Sequence, residues 1–307
     1  VSWLILILVA CTISYPHSGY AVDTGHSIKV ESTPSPLIPS LDGVRGDYQI
    51  PKQIRYSFTL YNDSGKLLAN ARFWTYLPVP LTSHQKITKI AANYPYQKKF
   101  DELGNSSIYF NFNEIPPYGA KIVSIVVDLL MSERPAPMPV GDRARFVSRE
   151  RYIESDDSRI IALATQLLGD SVAVMAKKDY EWVARNIIST NYIQEDLGAA
   201  YAVEFRKGDC TEISYLLTAL YRAQQIPARP IGGYSFSRNG VVKAMDYHNW
   251  TEFYQDGAWQ IADAQKGVFA AKQTDYVTMR VITSEGAPAI ASQRFSFAGD
   301  GLRVEMN

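Results

Sequence analysis

An all-β sandwich followed by an α+β domain is the fold class predicted for this 307-residue chain. Three observations predict it. Apolar residues alternate with period two from about Ile28 to Leu130. Met131 to Pro139 then holds three prolines in nine residues and reads as a connection. Beyond it the apolar residues recur at helical spacing, and after Pro227 they become strand-like again.

In the first half, Ile54, Tyr56, Phe58 and Leu60 alternate with polar residues, as in a half-buried strand. Asn62-Asp63-Ser64-Gly65 supplies a turn. Phe73 to Leu77 reads as a second strand, stopped by Pro78 and Pro80. Ile108, Phe110 and Phe112 alternate again, and Ile122 to Leu130 follows the break at Pro116-Pro117. Short strands punctuated by turns predict an antiparallel sandwich of immunoglobulin-like type, with a small barrel as the competitor.

Three helical stripes follow: Ile160, Ile161, Ala164, Leu167 and Leu168; then Tyr180, Val183, Ala184 and Ile187; then Ile213, Leu216, Leu217, Leu220 and Ala223. Strands are expected at Ala228–Phe236, Tyr247–Tyr254 and Trp259–Asp263, with Asp256-Gly257 as a hairpin turn. A last hairpin is expected around Gly299-Asp300-Gly301. The expected division is a signal segment at 1–21, a β-sandwich at 22–140, a linker at 141–156 and a catalytic domain at 157–307.

The apolar run Trp3–Ala10 is too short to span a bilayer, which needs about 20 residues, and fits the apolar region of an export signal. Two processing routes are open. Leu8-Val9-Ala10-Cys11 resembles a bacterial lipobox, which would put a lipid on Cys11 and allow membrane anchoring. Alternatively, Gly19-Tyr20-Ala21 would permit cleavage after Ala21. A buried N-terminal strand with a core cysteine is the structural alternative. The expected location is therefore periplasmic, secreted or membrane-anchored, in a bacterium. Sequons stand at Asn62, Asn105 and Asn249, and a glycan on Asn249 would crowd its neighbour His248.

Composition excludes several classes. Lys+Arg and Asp+Glu both number 31, so no basic excess exists for a nucleic acid partner. With 46% hydrophobic residues, global disorder is excluded. Only Cys11 and Cys210 occur, which excludes a disulfide scaffold and a cysteine-cluster metal site. Histidine is limited to His17, His26, His84 and His248.

Chemistry concentrates around Cys210. Asp209 followed three residues later by Glu212 is a capping pattern, which puts Cys210 in the first turn of a helix. Unpaired N–H groups and the positive end of the dipole lie there, and such sites lower a cysteine pKa from ~8.5 toward ~3.5–7.5. A small buried core cysteine is the bland alternative. His248 is the only histidine after Cys210 and begins an expected strand. The Asp256-Gly257 hairpin would bring Asp263 alongside it. Thiolate, imidazole and orienting carboxylate together make a nucleophilic triad. Alone, His248 reads as a surface histidine and Asp263 as a turn residue.

The residues Gly208-Asp209-Cys210, Leu216-Leu217-x-Ala219-Leu220, Ile226-Pro227-Ala228-Arg229, Gly232-Gly233-Tyr234, His248-Asn249-Trp250 and Trp259-x-x-x-Asp263 resemble the core of the transglutaminase-like superfamily. The resemblance covers roughly 157–284, with its motifs in 208–263. It implies a papain-like α+β core and a triad of Cys210, His248 and Asp263. It also implies acyl transfer through a thioester on a peptide or protein substrate, ending in hydrolysis or amine transfer. One departure is Ala264, where many members have proline after the aspartate. Relatives place an oxyanion-stabilising side chain upstream of the cysteine, where Asn191, Tyr192 and Tyr201 are the candidates. No cofactor is implied, and no acidic loop has calcium-ligand spacing. A non-catalytic binding or assembly protein on the same scaffold is the competing function.

Overall fold

The computed structural model describes residues 46–284 and 294–307. The expected signal segment, with Cys11 and Ala21, lies outside the described residues. No helix among the described residues is long and apolar enough to cross a membrane.

Six strands build the N-terminal region: β1 (Tyr48–Asn62), β2 (Leu68–Leu77), β3 (Gln85–Ala92), β4 (Gln97–Phe100), β5 (Ser106–Ile115) and β6 (Ala120–Ser132). They form two sheets, with orders β1-β6-β3 and β2-β5-β4. The alternation read from the sequence is the inward face: Ile54, Tyr56, Phe58 and Leu60 of β1 share one core with Phe73 of β2 and Phe110 of β5. Phe58 and Phe73 meet across the sheets at 4.8 Å. β3 and β4 have no counterpart in the sequence reading. They are sheet-edge strands with many exposed polar residues, so neither shows a clean apolar alternation.

The second half runs α1 (Arg143–Val147), α2 (Ser158–Gln166), α3 (Val172–Asn186), β7 (Ile188–Ser189), α4 (Gly198–Phe205), β8 (Lys207–Gly208) and α5 (Cys210–Ala223). Next come β9 (Ala228–Ser235), β10 (Gly240–Val241), β11 (Tyr247–Gln255), β12 (Ala258–Asp263), β13 (Val268–Phe269) and β14 (Tyr276–Val281). α5 is the central helix, buried at every position from Glu212 to Arg222, and it shares a core with α2, α3 and α4. Its sequence stripe understates this burial. On α2 the buried positions are Ile160, Leu163 and Ala164, whereas Ile161 and nearby Leu168 face solvent.

Against α5 lies an antiparallel sheet of order β13-β12-β11-β9-β14. Asp256 and Gly257 both have positive φ, 51° and 82°, as the tight β11–β12 turn requires. Gly233 on β9 is obligatory for packing: a Cβ there would sit 2.1 Å from the Val277 carbonyl oxygen.

The last two strands, β15 (Phe295–Ala298) and β16 (Leu302–Met306), depart from the expected division, which kept them in the 157–307 domain. They join the N-terminal sheets, β15 on β2 and β16 on β1. They do not form a hairpin with each other. Phe295 and Phe297 pack against the two-sheet core, and Leu302 and Val304 are part of it. The expected linker is also packed. Phe146 of α1 meets Trp259 at 5.2 Å, and Glu150 pairs with Arg222 at 2.9 Å. Gln85 joins the regions by bonding both the N–H and the carbonyl of Thr278 on β14. Asn62, Asn105 and Asn249 are 1%, 4% and 8% exposed, and each side-chain amide donates a hydrogen bond within the protein, so the folded chain presents none of the three sequons.

The Glu150–Arg222 pair yields a stability prediction. Arg222 is 1% exposed, so Glu150→Ala removes the carboxylate that neutralises a buried cation and should cost about 3 kcal/mol, although Arg222 keeps its bonds to the Ala228 and Ser148 carbonyls. Burial alone would raise the Glu150 pKa, but Arg222, the Ser284 N–H and Thr283 outweigh it and hold it low. A depressed carboxylate stabilises the fold above its unfolded pKa of ~4.3 and loses that contribution as pH falls through the folded value. Thermal melts should show a large wild-type advantage at pH 7 that narrows below about pH 4. An equal advantage at pH 7 and pH 3 would contradict it.

Candidate active site

Cys210 is the first residue of α5, and the start of that helix is tied down by two acidic side chains. Asp209 accepts from the Thr211 N–H at 2.7 Å and from the Ile193 N–H at 2.8 Å. Glu212 accepts from the Asp209 N–H at 3.2 Å and from the Leu197 N–H at 3.1 Å. The capping pair legible in the sequence thus also anchors the loop before α4. Burial raises the Glu212 carboxyl to about 7. Gly208 permits the tight entry, because a Cβ there would lie 2.5 Å from the Glu212 Cβ.

Opposite this turn runs β11. Asn249 Nδ2 donates to Thr211 Oγ1 at 3.0 Å, and the Asn249 backbone N–H is near enough to the Cys210 thiol to favour its ionised form. The thiol therefore sits beside the residue that follows His248. His248 is buried and stacks along Trp250 with ring centroids 6.3 Å apart. Its Nε2 lies 2.7 Å from Asp263 Oδ2. Asp263 also accepts from the Tyr276 hydroxyl at 2.8 Å and from the Lys266 N–H at 3.0 Å. Burial pushes the Asp263 pKa up, but His248 and these two donors outweigh it and keep it below the ordinary value. The carboxylate is thus ionised at neutral pH.

The sign of the thiol pKa differs from the sequence expectation. Burial pushes Cys210 up to about 11, and the Asp209 and Asp263 carboxylates add to the rise. The Asn249 N–H and the Thr211 side chain oppose it without reversing it. Helix position alone argues for a lowered value, but it leaves out desolvation and nearby negative charge.

Of the oxyanion candidates, two stand on the loop that Gly208 and Asp209 hold beside the start of α5. Asn191 and Tyr192 are exposed, Tyr192 at 83%, on the loop anchored through Ile193 and Leu197. Tyr201 packs on Phe205 at 4.9 Å within α4. None of the three has a described contact with Cys210, His248 or Asp263. Sequence reasoning missed Tyr276, one of 20 tyrosines, with no local pattern to mark it. Among the described residues no group of three or more His, Cys, Asp or Glu could hold a metal ion.

A cysteine at a capped helix start, facing a strand with an imidazole–carboxylate pair, defines a thiol-centred site on an α+β core. Residues 161–264 match the family model of the transglutaminase-like superfamily, and this segment belongs to that superfamily. A candidate cysteine protease from Cytophaga hutchinsonii, solved at 1.9 Å, superposes with a TM-score of 0.55 at 19% identity. That similarity covers 84% of this chain and 92% of the other, and it concerns the fold. The periplasmic domain of TgpA from Pseudomonas aeruginosa aligns at 14% identity with a TM-score of 0.39, over 67% of this chain and 92% of its own. No curated protein matches the chain.

Proposed function

We propose that the protein is an exported bacterial cysteine-dependent amidohydrolase or acyltransferase that works through a thioester on a peptide or protein. The His248–Asp263 contact of 2.7 Å carries this reading, with the Cys210 thiol beside the next residue of the same strand. Because His248 uses Nε2 for Asp263, its Nδ1 remains to take the thiol proton. The sulfur then adds to the amide carbonyl carbon. The oxyanion is met by the Cys210 backbone N–H in the first turn of α5, where helix donors have no intrahelical acceptor. As the C–N bond breaks, the imidazolium returns its proton to the leaving amine. Water or a second amine attacks the thioester, His248 takes its proton, and the thiol is regenerated. Hydrolysis is the favoured outcome. The two-sheet N-terminal region fits an immunoglobulin-like sandwich.

Incubating the mature protein with labelled peptides, with and without a primary amine, tests this. Acid products in both conditions support hydrolysis, and amine-dependent conjugates support transfer. Intact peptides throughout would favour the binding-protein alternative.

The thiol supplies a second test. His248→Gln leaves burial and the two carboxylates acting on Cys210, so its iodoacetamide alkylation should rise only toward about pH 11. That lies above the ~8.5 of a free thiol. Wild type should be alkylated faster than His248→Gln at the same pH, because His248 is there to take the thiol proton. A single inflection near 8.5 in both proteins, read by mass spectrometry at Cys210, would refute the pairing.

A further inference from the structure

Tyr276 opens β14, which the sheet order separates from β12 by β9 and β11. Its hydroxyl nevertheless reaches Asp263 Oδ2 at 2.8 Å, the oxygen that also lies 2.7 Å from His248 Nε2. The ring is buried and fixed edge-on against Trp250, with centroids 5.0 Å apart. Trp250 in turn stacks along His248. The phenol therefore has little freedom to turn away from the carboxylate.

The other donor to Asp263, the Lys266 N–H, holds only Oδ1. One bonded oxygen leaves the carboxylate free to rotate away from the imidazole. Two opposed donors set its plane, and the Tyr276 hydroxyl is the second. We propose that Tyr276 is a positioning residue that holds Asp263 Oδ2 toward His248 Nε2. This rests on the reading of Cys210, His248 and Asp263 as the acyl-transfer site.

The titratable groups facing Asp263 are Tyr180 from α3, Cys210 from α5, His248 from β11 and Tyr276 from β14. Burial and the Asp263 carboxylate hold the Tyr276 phenol far above its ordinary value, so it stays a donor through the working range. Removing the hydroxyl takes away one of the influences that keep Asp263 low. The carboxylate should then protonate at higher pH.

The experiment is a pH series of iodoacetamide alkylation at Cys210 in wild type, Tyr276→Phe, His248→Gln and Tyr254→Phe. Tyr276→Phe retains the ring packed on Trp250. Tyr254→Phe is the control, since its hydroxyl donates to the Met138 carbonyl and not to the site. In Tyr276→Phe, the pH at which His248-dependent alkylation disappears on acidification should rise by about one unit, the scale of one hydrogen bond to a charged group. Tyr254→Phe should superimpose on wild type. A His248-dependent profile unmoved by Tyr276→Phe overturns this proposal alone. Insensitivity to His248→Gln overturns both this proposal and the site reading. An equal shift in Tyr254→Phe would mark the effect as general loosening of the core and would also overturn it.

Discussion

Cys210→Ala should remove turnover on any peptide substrate, to below about one per cent of wild type, while the fold persists. The side chain lost is small and only partly buried, so destabilisation should stay on the order of 1 kcal/mol. α5 should survive, because its cap is made by Asp209 and Glu212 and not by the thiol. The only other cysteine, Cys11, belongs to the expected export segment. A mutant with matching circular dichroism and more than a per cent of wild-type kcat/KM would exclude Cys210 as the nucleophile.

Asp263→Asn should be nearly as damaging, with a fall of about 10⁴-fold in kcat. The variant keeps the size of the side chain but has one acceptor oxygen, where the carboxylate offers Oδ2 to Tyr276 and Oδ1 to the Lys266 N–H. It also loses the negative charge facing His248 Nε2 at 2.7 Å. An amide N–H turned toward the ring would select the wrong tautomer, and no charge would then stabilise the imidazolium formed as the thiol gives up its proton. The loss should appear in kcat more than in KM, because Asp263 is buried behind His248 and does not reach the substrate. Activity within a factor of three of wild type would show that the contact is structural only.

Where an argument needed only neighbouring residues, the sequence was readable. Asp209 and Glu212 cap a helix because both act within one turn of its start. Asp256-Gly257 turns a hairpin because two consecutive residues accept positive φ. From these two features alone, Cys210 goes to a helix start and Asp263 comes beside His248. The alternation of Ile54, Tyr56, Phe58 and Leu60 likewise names its buried face.

Long-range features were hidden for a physical reason: their partners are set by packing and not by spacing. β15 and β16 read as a local hairpin, yet each finds a better apolar surface more than 200 residues earlier in the chain. Tyr276 carries no local mark, and its hydroxyl acquires meaning only because the sheet brings it to Asp263. The thiol shows the division most clearly. Sequence by itself determined that Cys210 stands at a capped helix start with one histidine and one aspartate within reach. Only the tertiary structure brings in burial and the Asp209 and Asp263 carboxylates, which push the thiol pKa up, because none of these can be read from the position of the residue in its helix.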